Sequence, residues 1–99
     1  MTVLEQQAVL QEALDTWGFD AQLMMVIEES GELVQAAAKF LGGRERSSKG
    51  LIEELADVSL MIDQMRLRWG AEIDAARNCK LDRLAQRLRL DVLLPKVTS

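Results

Sequence analysis

The chain has 99 residues, of which 48% are hydrophobic and 28% charged, so it is long enough for one globular domain and too apolar for a disordered chain. Its net charge of −4 argues against a general binder of nucleic acid or of an anionic membrane. The single cysteine, Cys79, excludes an intramolecular disulfide, and the absence of histidine excludes a histidine base or metal ligand.

Glycines divide the chain into four segments of helical composition, and the only proline, Pro95, lies among the last residues. The first helix is predicted over residues 3–17. The second begins near Asp20, a good N-cap residue, and ends at about residue 41, where Gly42 supplies a stop. Ser47 or Ser48 caps a third helix that ends at residue 69, before Gly70, and a fourth covers residues 71–90.

No alternating β-branched run or hairpin turn is present, so we predict an all-α fold. Four helices with short connections favour an up-down four-helix bundle, as a single domain over residues 1–99 with a tail from about residue 91. The second and third helices are apolar nearly all round, so we expect a homo-oligomer to cover the apolar faces that remain. Neither a signal peptide nor a membrane span is predicted, and we expect a cytoplasmic protein that binds neither membranes nor nucleic acid.

The stretches IEESGEL (residues 27–33) and IEELADV (residues 52–58) repeat one acidic pattern within apolar surroundings. At about 100° per residue, the carboxylates of each stretch share one stripe of a helix. Like charges at these spacings cost about 0.2–0.5 kcal/mol per pair even when exposed. The carboxylates are Glu28, Glu29 and Glu32 in the first stretch, and Glu53, Glu54 and Asp57 in the second.

Two such stripes facing each other require a counter-charge, which a divalent cation supplies. A site made only of oxygen ligands favours Mg²⁺ or Mn²⁺ over Zn²⁺. A solvated surface patch would explain one acidic stretch but not two copies in apolar frames. A ferritin-like di-iron bundle requires Glu-x-x-His motifs, which a chain without histidine does not have.

The paired motif, EExxE at residues 28–32 and ExxD at residues 54–57, resembles that of the MazG-like nucleoside triphosphate pyrophosphohydrolases. The likeness extends through EESGELVQAAAKFL, LIEELADVSLMI and KLDRLAQRL, over roughly residues 20–90. It implies Mg²⁺-dependent hydrolysis of a (deoxy)nucleoside triphosphate to the monophosphate and pyrophosphate. In such enzymes a metal-activated water attacks the α-phosphorus, and the subunits form a homo-dimer or homo-tetramer.

The resemblance also implies roles for individual residues. Glu28 lies beside the metal, as an outer ligand or as the base for the attacking water, and the role of Glu53 stays open. The implied metal ligands are Glu29, Glu32, Glu54 and Asp57.

Three basic residues are predicted to contact the substrate phosphates. Lys39 lies on the acidic stripe of the second helix, Lys80 matches a lysine of the family, and Arg83 follows Lys80 by one helical turn. Several relatives carry an asparagine where this chain has Leu84, so base recognition must differ here. Trp17 is the best candidate to stack on a base.

Two alternatives remain open. A related phosphoribosyl-ATP or dUTP/dCTP-type helical pyrophosphohydrolase would use the same kind of metal site on another substrate. A non-enzymatic helical regulatory module would bind no metal. The sequence leaves open the base and sugar preference, the number of metals and the choice between dimer and tetramer.

Overall fold

The computed structural model describes residues 1–88, which form three helices and, within that range, no strand. The helices are α1 (Val3–Trp17), α2 (Phe19–Leu41) and α3 (Lys49–Leu88). The predicted all-α class is therefore confirmed, while the predicted tail and residues 89–90 of the fourth helix lie outside the described residues. No helix in residues 1–88 is both long enough and apolar enough to cross a membrane.

α1 begins with a capping box that fixes its first residue. The Thr2 hydroxyl accepts a hydrogen bond from the Glu5 amide at 3.1 Å, and the Glu5 carboxylate accepts one from the Thr2 amide at 3.0 Å. Both bonds satisfy donors that a helix N-terminus leaves unpaired. The predicted bounds of this helix, residues 3–17, are confirmed.

A single residue, Gly18, joins α1 to α2. Its φ of 87° and ψ of 157° lie in a region that is essentially restricted to glycine. Gly18 closes α1 by donating to the Leu14 carbonyl at 2.8 Å, and it is also the N-cap of α2. The prediction of Asp20 as the cap is therefore wrong, because Asp20 already lies in the first turn, where its charge favours the helix dipole.

α2 ends where Gly42 predicts. The Gly42 amide donates to the Ala38 carbonyl at 2.9 Å, and the next residue, Gly43, takes a positive φ of 75°. The connection to α3 folds back onto α2, since the Lys39 carbonyl accepts hydrogen bonds from the amides of Arg44 and Glu45 at 3.0 and 3.1 Å. Ser47 then caps α3 by accepting a hydrogen bond from the Lys49 amide at 3.2 Å.

α3 is broken at the residue where the sequence predicts one helix to end. Trp69 has non-helical dihedrals, φ −123° and ψ 27°, and two helical segments meet there at a kink; the second segment ends at Leu88. Gly70 does not take the positive φ of a glycine stop, and one glycine inside a helix costs only about 1 kcal/mol. The described residues therefore form three helices, and the predicted four-helix bundle is not confirmed.

The described chain falls into two compact units that divide between Arg68 and Trp69. In the first, α1 packs on α2, the Gln64 side chain donates to the Leu10 carbonyl at 3.2 Å, and the Arg68 guanidinium lies 4.1 Å from the centre of the Phe19 ring. Met65 is the one buried apolar side chain among residues 1–88. The second unit begins at Trp69 and contains the rest of α3. A single domain over residues 1–99 stays a prediction.

Candidate metal centre

The antiparallel packing of α2 against the first part of α3 brings the two acidic stretches together. Met25 of α2 and Met61 of α3 line one cavity, and Ala36 of α2 and Gly50 of α3 line another. Higher residue numbers in α2 therefore pair with lower residue numbers in α3, as in antiparallel packing. Glu29 lies between the two α2 positions and meets the acidic stretch of α3. The two predicted stripes therefore meet in part, at Glu29 on α2 and at Glu54 and Asp57 on α3.

Three carboxylates form the carboxylate cluster, which we define as Glu29, Glu54 and Asp57. One oxygen from each lies within 4.8 Å of the other two. Glu29 and Glu54 are half-buried, whereas Asp57 is exposed. Glu32 is exposed beside the cluster, close enough for its charge to act on both Glu29 and Glu54. The structure thus brings together three of the four residues that the sequence predicts as metal ligands, with Glu32 beside them.

The electrostatics of the carboxylate cluster oppose its full ionisation. Partial burial, followed by the negative charges of Glu32, Asp57 and Glu54, raises the pKa of Glu29 to about 7. Partial burial and the charges of Glu32 and Asp57 also raise the pKa of Glu54. Without a cation, the cluster therefore favours a protonated carboxyl near neutral pH.

Two oxygens of the carboxylate cluster have no partner in the described part of the chain. Glu29 Oε2 and Glu54 Oε2 are closed off from solvent, and neither accepts a hydrogen bond from residues 1–88. Buried anionic oxygens are normally paired or bound to a metal. Their chemistry fits a hard cation with oxygen ligands, which is Mg²⁺ or Mn²⁺ rather than Zn²⁺.

A polar cavity of about 250 Å³ opens beside the cluster, towards the end of α2 and the start of α3. Lys39 lines this polar cavity, as its position on the acidic stripe predicts. Sequence reasoning did not find Glu45 or Ser47, because both reach the cavity only through the fold of the connecting loop. The full lining consists of Glu32, Gln35, Ala36, Lys39, Glu45, Ser47, Gly50, Leu51 and Glu54.

An apolar cavity of about 460 Å³ lies one helical turn away from the cluster on its other side, and is lined by Trp17, Ala21, Gln22, Met25 and Met61. Trp17 is 65% exposed, whereas Gln22 is only 6% exposed. Gln22 was missed in the sequence, although it precedes Glu29 by seven residues and so continues the acidic stripe.

The remaining predicted site residues lie outside the carboxylate cluster. Glu28 is exposed on α2, next to Glu29 in the chain. Lys80 and Arg83 are exposed residues of the second unit, and their phosphate contacts stay predictions.

Along α2, the apolar cavity, the carboxylate cluster and the polar cavity thus follow one another in this order. An elongated ligand with an apolar end and an anionic, cation-binding end has the matching chemistry. No family model, curated protein or solved structure matches the chain, so the site is interpreted from its own geometry.

Proposed function

We propose that the chain is a Mg²⁺-dependent pyrophosphohydrolase that converts (deoxy)nucleoside triphosphates into the monophosphate and pyrophosphate. The observation that carries this proposal is the pair of enclosed oxygens, Glu29 Oε2 and Glu54 Oε2, which accept no hydrogen bond from residues 1–88. In the proposed site Glu29, Glu32, Glu54 and Asp57 hold the cation. When bound, Mg²⁺ lowers the pKa of a coordinated water and neutralises phosphate oxygens.

Glu28 supplies the base of the proposed reaction. It is exposed and adjoins a proposed ligand, Glu29, so a water between the two residues and the substrate is within reach of its carboxylate. It accepts the proton that the attacking water loses, or it binds the metal from outside through a water. This role requires no burial, which agrees with the position of Glu28 outside the carboxylate cluster.

Lys39 holds the outer phosphates. Among residues 1–88 it is the only cationic side chain that lines the polar cavity, where it faces the acidic side chains of Glu32, Glu45 and Glu54. An ammonium group there favours a triphosphate tail and the leaving pyrophosphate over neutral ligands. Lys80 and Arg83 are proposed as further phosphate contacts, and Trp17 as the residue that stacks on the base.

A homo-dimer or homo-tetramer is part of the proposal because α2 carries an uncovered apolar stripe. Successive members of the stripe are separated by four and three residues in alternation. The four charged residues of the segment 21–41 lie on the opposite side of the helix. Its large members are 38–89% exposed. The α2 apolar stripe consists of Leu23, Ile27, Ser30, Val34, Ala37 and Leu41. A second copy of this chain offers the same surface and covers it by symmetry.

Pyrophosphate release from a panel of deoxynucleoside and ribonucleoside triphosphates tests the activity. The panel includes dUTP, dCTP and phosphoribosyl-ATP, so that it also decides between the related substrate classes. We expect Glu32→Gln and Asp57→Asn to lower kcat at least 100-fold, because each removes a proposed ligand while keeping the side-chain size. Asp63→Asn, an exposed residue of α3 outside the site, is the matched control and keeps full activity.

Wild-type turnover in Glu32→Gln or Asp57→Asn would refute the assigned site. Absence of pyrophosphate from every substrate, together with a melting temperature that Mg²⁺ does not raise, would favour the non-enzymatic regulatory module, since binding to the folded state alone must stabilise it.

A further inference from the structure

The apolar cavity is a second binding surface beside the carboxylate cluster. Its volume of about 460 Å³ lies within the range of roughly 300–1,000 Å³ that is typical of small-molecule pockets. Met25 precedes Glu29 by four residues on α2, and Met61 follows Asp57 by four residues on α3. The cavity is therefore one helical turn, about 5.4 Å, from the carboxylates.

The buried amide of Gln22 gives this cavity a polar edge. The residue is only 6% exposed and lines the cavity. No hydrogen bond joins its side chain to any residue in the described range, so its amide is available to a ligand in the cavity that Gln22 lines. A glutamine amide offers one acceptor oxygen and two N–H donors on the same plane.

The other side chains of the cavity select for a flat apolar ligand. Trp17 presents an indole that is 65% exposed, and Met25 and Met61 supply polarisable thioethers that pack against ring edges. No charged side chain of residues 1–88 lines the cavity, which disfavours a phosphate or carboxylate there. A purely aliphatic ligand would leave the Gln22 amide unpaired, which is unfavourable.

We infer that the apolar cavity takes the nucleobase of the substrate and that Gln22 is the residue that determines which base is accepted. This inference rests on the proposed function, because the base is placed by a triphosphate held at the carboxylate cluster and the polar cavity. The sugar then spans the single helical turn between the cavity and the cluster. Trp17 stacks on any base, whereas the donor and acceptor of Gln22 recognise only a complementary edge.

Substitution of Gln22 by methionine tests the inference, because methionine keeps the length of the side chain and removes its donor and acceptor. The measurement is kcat/KM for dATP, dGTP, dCTP, dTTP and dUTP, together with the Mg²⁺ midpoint of activity. We expect the ratio between the best and the second-best base to fall at least 10-fold in Gln22→Met, with an unchanged Mg²⁺ midpoint. Gln7→Met, an exposed glutamine of α1, is the matched control and keeps the wild-type ratio.

Each outcome separates this inference from the proposed function. A Gln22→Met enzyme that turns over with the wild-type base ratios, or a wild type that accepts all bases equally, would overturn the inference and leave the proposed function intact. A wild type that hydrolyses no triphosphate would refute the proposed function. In that case the cavity is tested alone, by quenching of Trp17 fluorescence by nucleosides in the Trp69→Phe background. Quenching that Gln22→Met weakens for one base would support base recognition by the cavity. Absence of quenching would overturn the inference.

Discussion

At the scale of single residues, the position of the Glu29 carboxylate has two opposing effects. Its carboxylate is half-buried beside Glu54 and Asp57, and one of its oxygens is enclosed without a partner. This placement disfavours the charged form in the metal-free protein, yet it is the arrangement that a divalent cation stabilises. The stability of the fold and the proposed affinity for a metal therefore depend on the same proton.

The pH dependence of stability follows from that proton. The pKa of Glu29 is raised from its ordinary 4.5 to about 7, so between these values the folded state binds more protons than the unfolded state. The free energy of unfolding therefore falls as pH rises through this window. The contribution of the Glu29 proton to it is fully present only below pH 4.5. We expect the metal-free melting temperature to fall from pH 4.5 to pH 7, and the increase caused by Mg²⁺ to be larger above pH 7 than below pH 4.5.

Thermal melts of Glu29→Gln supply the control for this prediction. The variant removes the titrating group, so it should melt higher than wild type above pH 7 without metal, and it should lose most of the increase caused by Mg²⁺. Asp63→Asn should behave as wild type. A wild-type melting temperature that rises across the window, or a Mg²⁺ effect that is retained in Glu29→Gln, would contradict the assignment of the pKa shift and of the ligand.

At the scale of elements, the junction between α1 and α2 depends on one glycine. Gly18 has φ 87° and ψ 157°, a conformation that costs other residues about 1–3 kcal/mol. We expect Gly18→Ala to lower the free energy of unfolding by about that amount, measured by urea denaturation, although no neighbour lies within 4 Å of the added methyl group.

Gly70→Ala is the matched control for the junction. Gly70 lies inside α3 without a positive φ, and a methyl group there also meets open space. Alanine at this position should raise the free energy of unfolding by about 0.5–1 kcal/mol. Effects of opposite sign at the two glycines would be explained by the backbone alone, whereas a neutral Gly18→Ala would contradict the strain assigned to the junction.

The elements also show which features sequence patterns predict. Helical composition and glycine positions predicted the bounds of α1 and the end of α2 at Gly42, and helical spacing predicted the meeting of the acidic stretches. The break at Trp69 was predicted at the correct residue, whereas the absence of a positive φ at Gly70 was not, because a glycine alone does not reveal which φ it adopts. The two cavities and the burial of Gln22 depend on the register between α2 and α3, which no local pattern encodes.

At the scale of the whole molecule, the subunit leaves much of its apolar surface uncovered. Within residues 1–88 Met65 alone is a buried apolar side chain, while Ile27, Val34 and Leu41 on the α2 apolar stripe are 64%, 68% and 89% exposed. Covering such side chains contributes roughly 25 cal/mol per Å² of apolar area. The proposed oligomer is therefore expected to provide a large part of the stability of the fold.

This dependence on assembly is testable by light scattering and by thermal melts at several protein concentrations. We expect the wild type to be a dimer or tetramer whose melting temperature rises with concentration. Val34→Glu places a charge on the α2 apolar stripe and should shift the protein towards monomer with a lower melting temperature. Val3→Glu, a similarly exposed residue at the start of α1, should leave the mass unchanged. A monomeric wild type would refute the proposed assembly.

The one-residue junction at Gly18 also limits how the length of this chain can vary. Because no loop separates α1 from α2, an inserted or deleted residue there turns the end of α1 by about 100° relative to α2. Such a change would carry Trp17 away from Met25 and Met61 and open the apolar cavity. Related chains that keep the same cavity should therefore differ in length in the segment between α2 and α3, and not between α1 and α2.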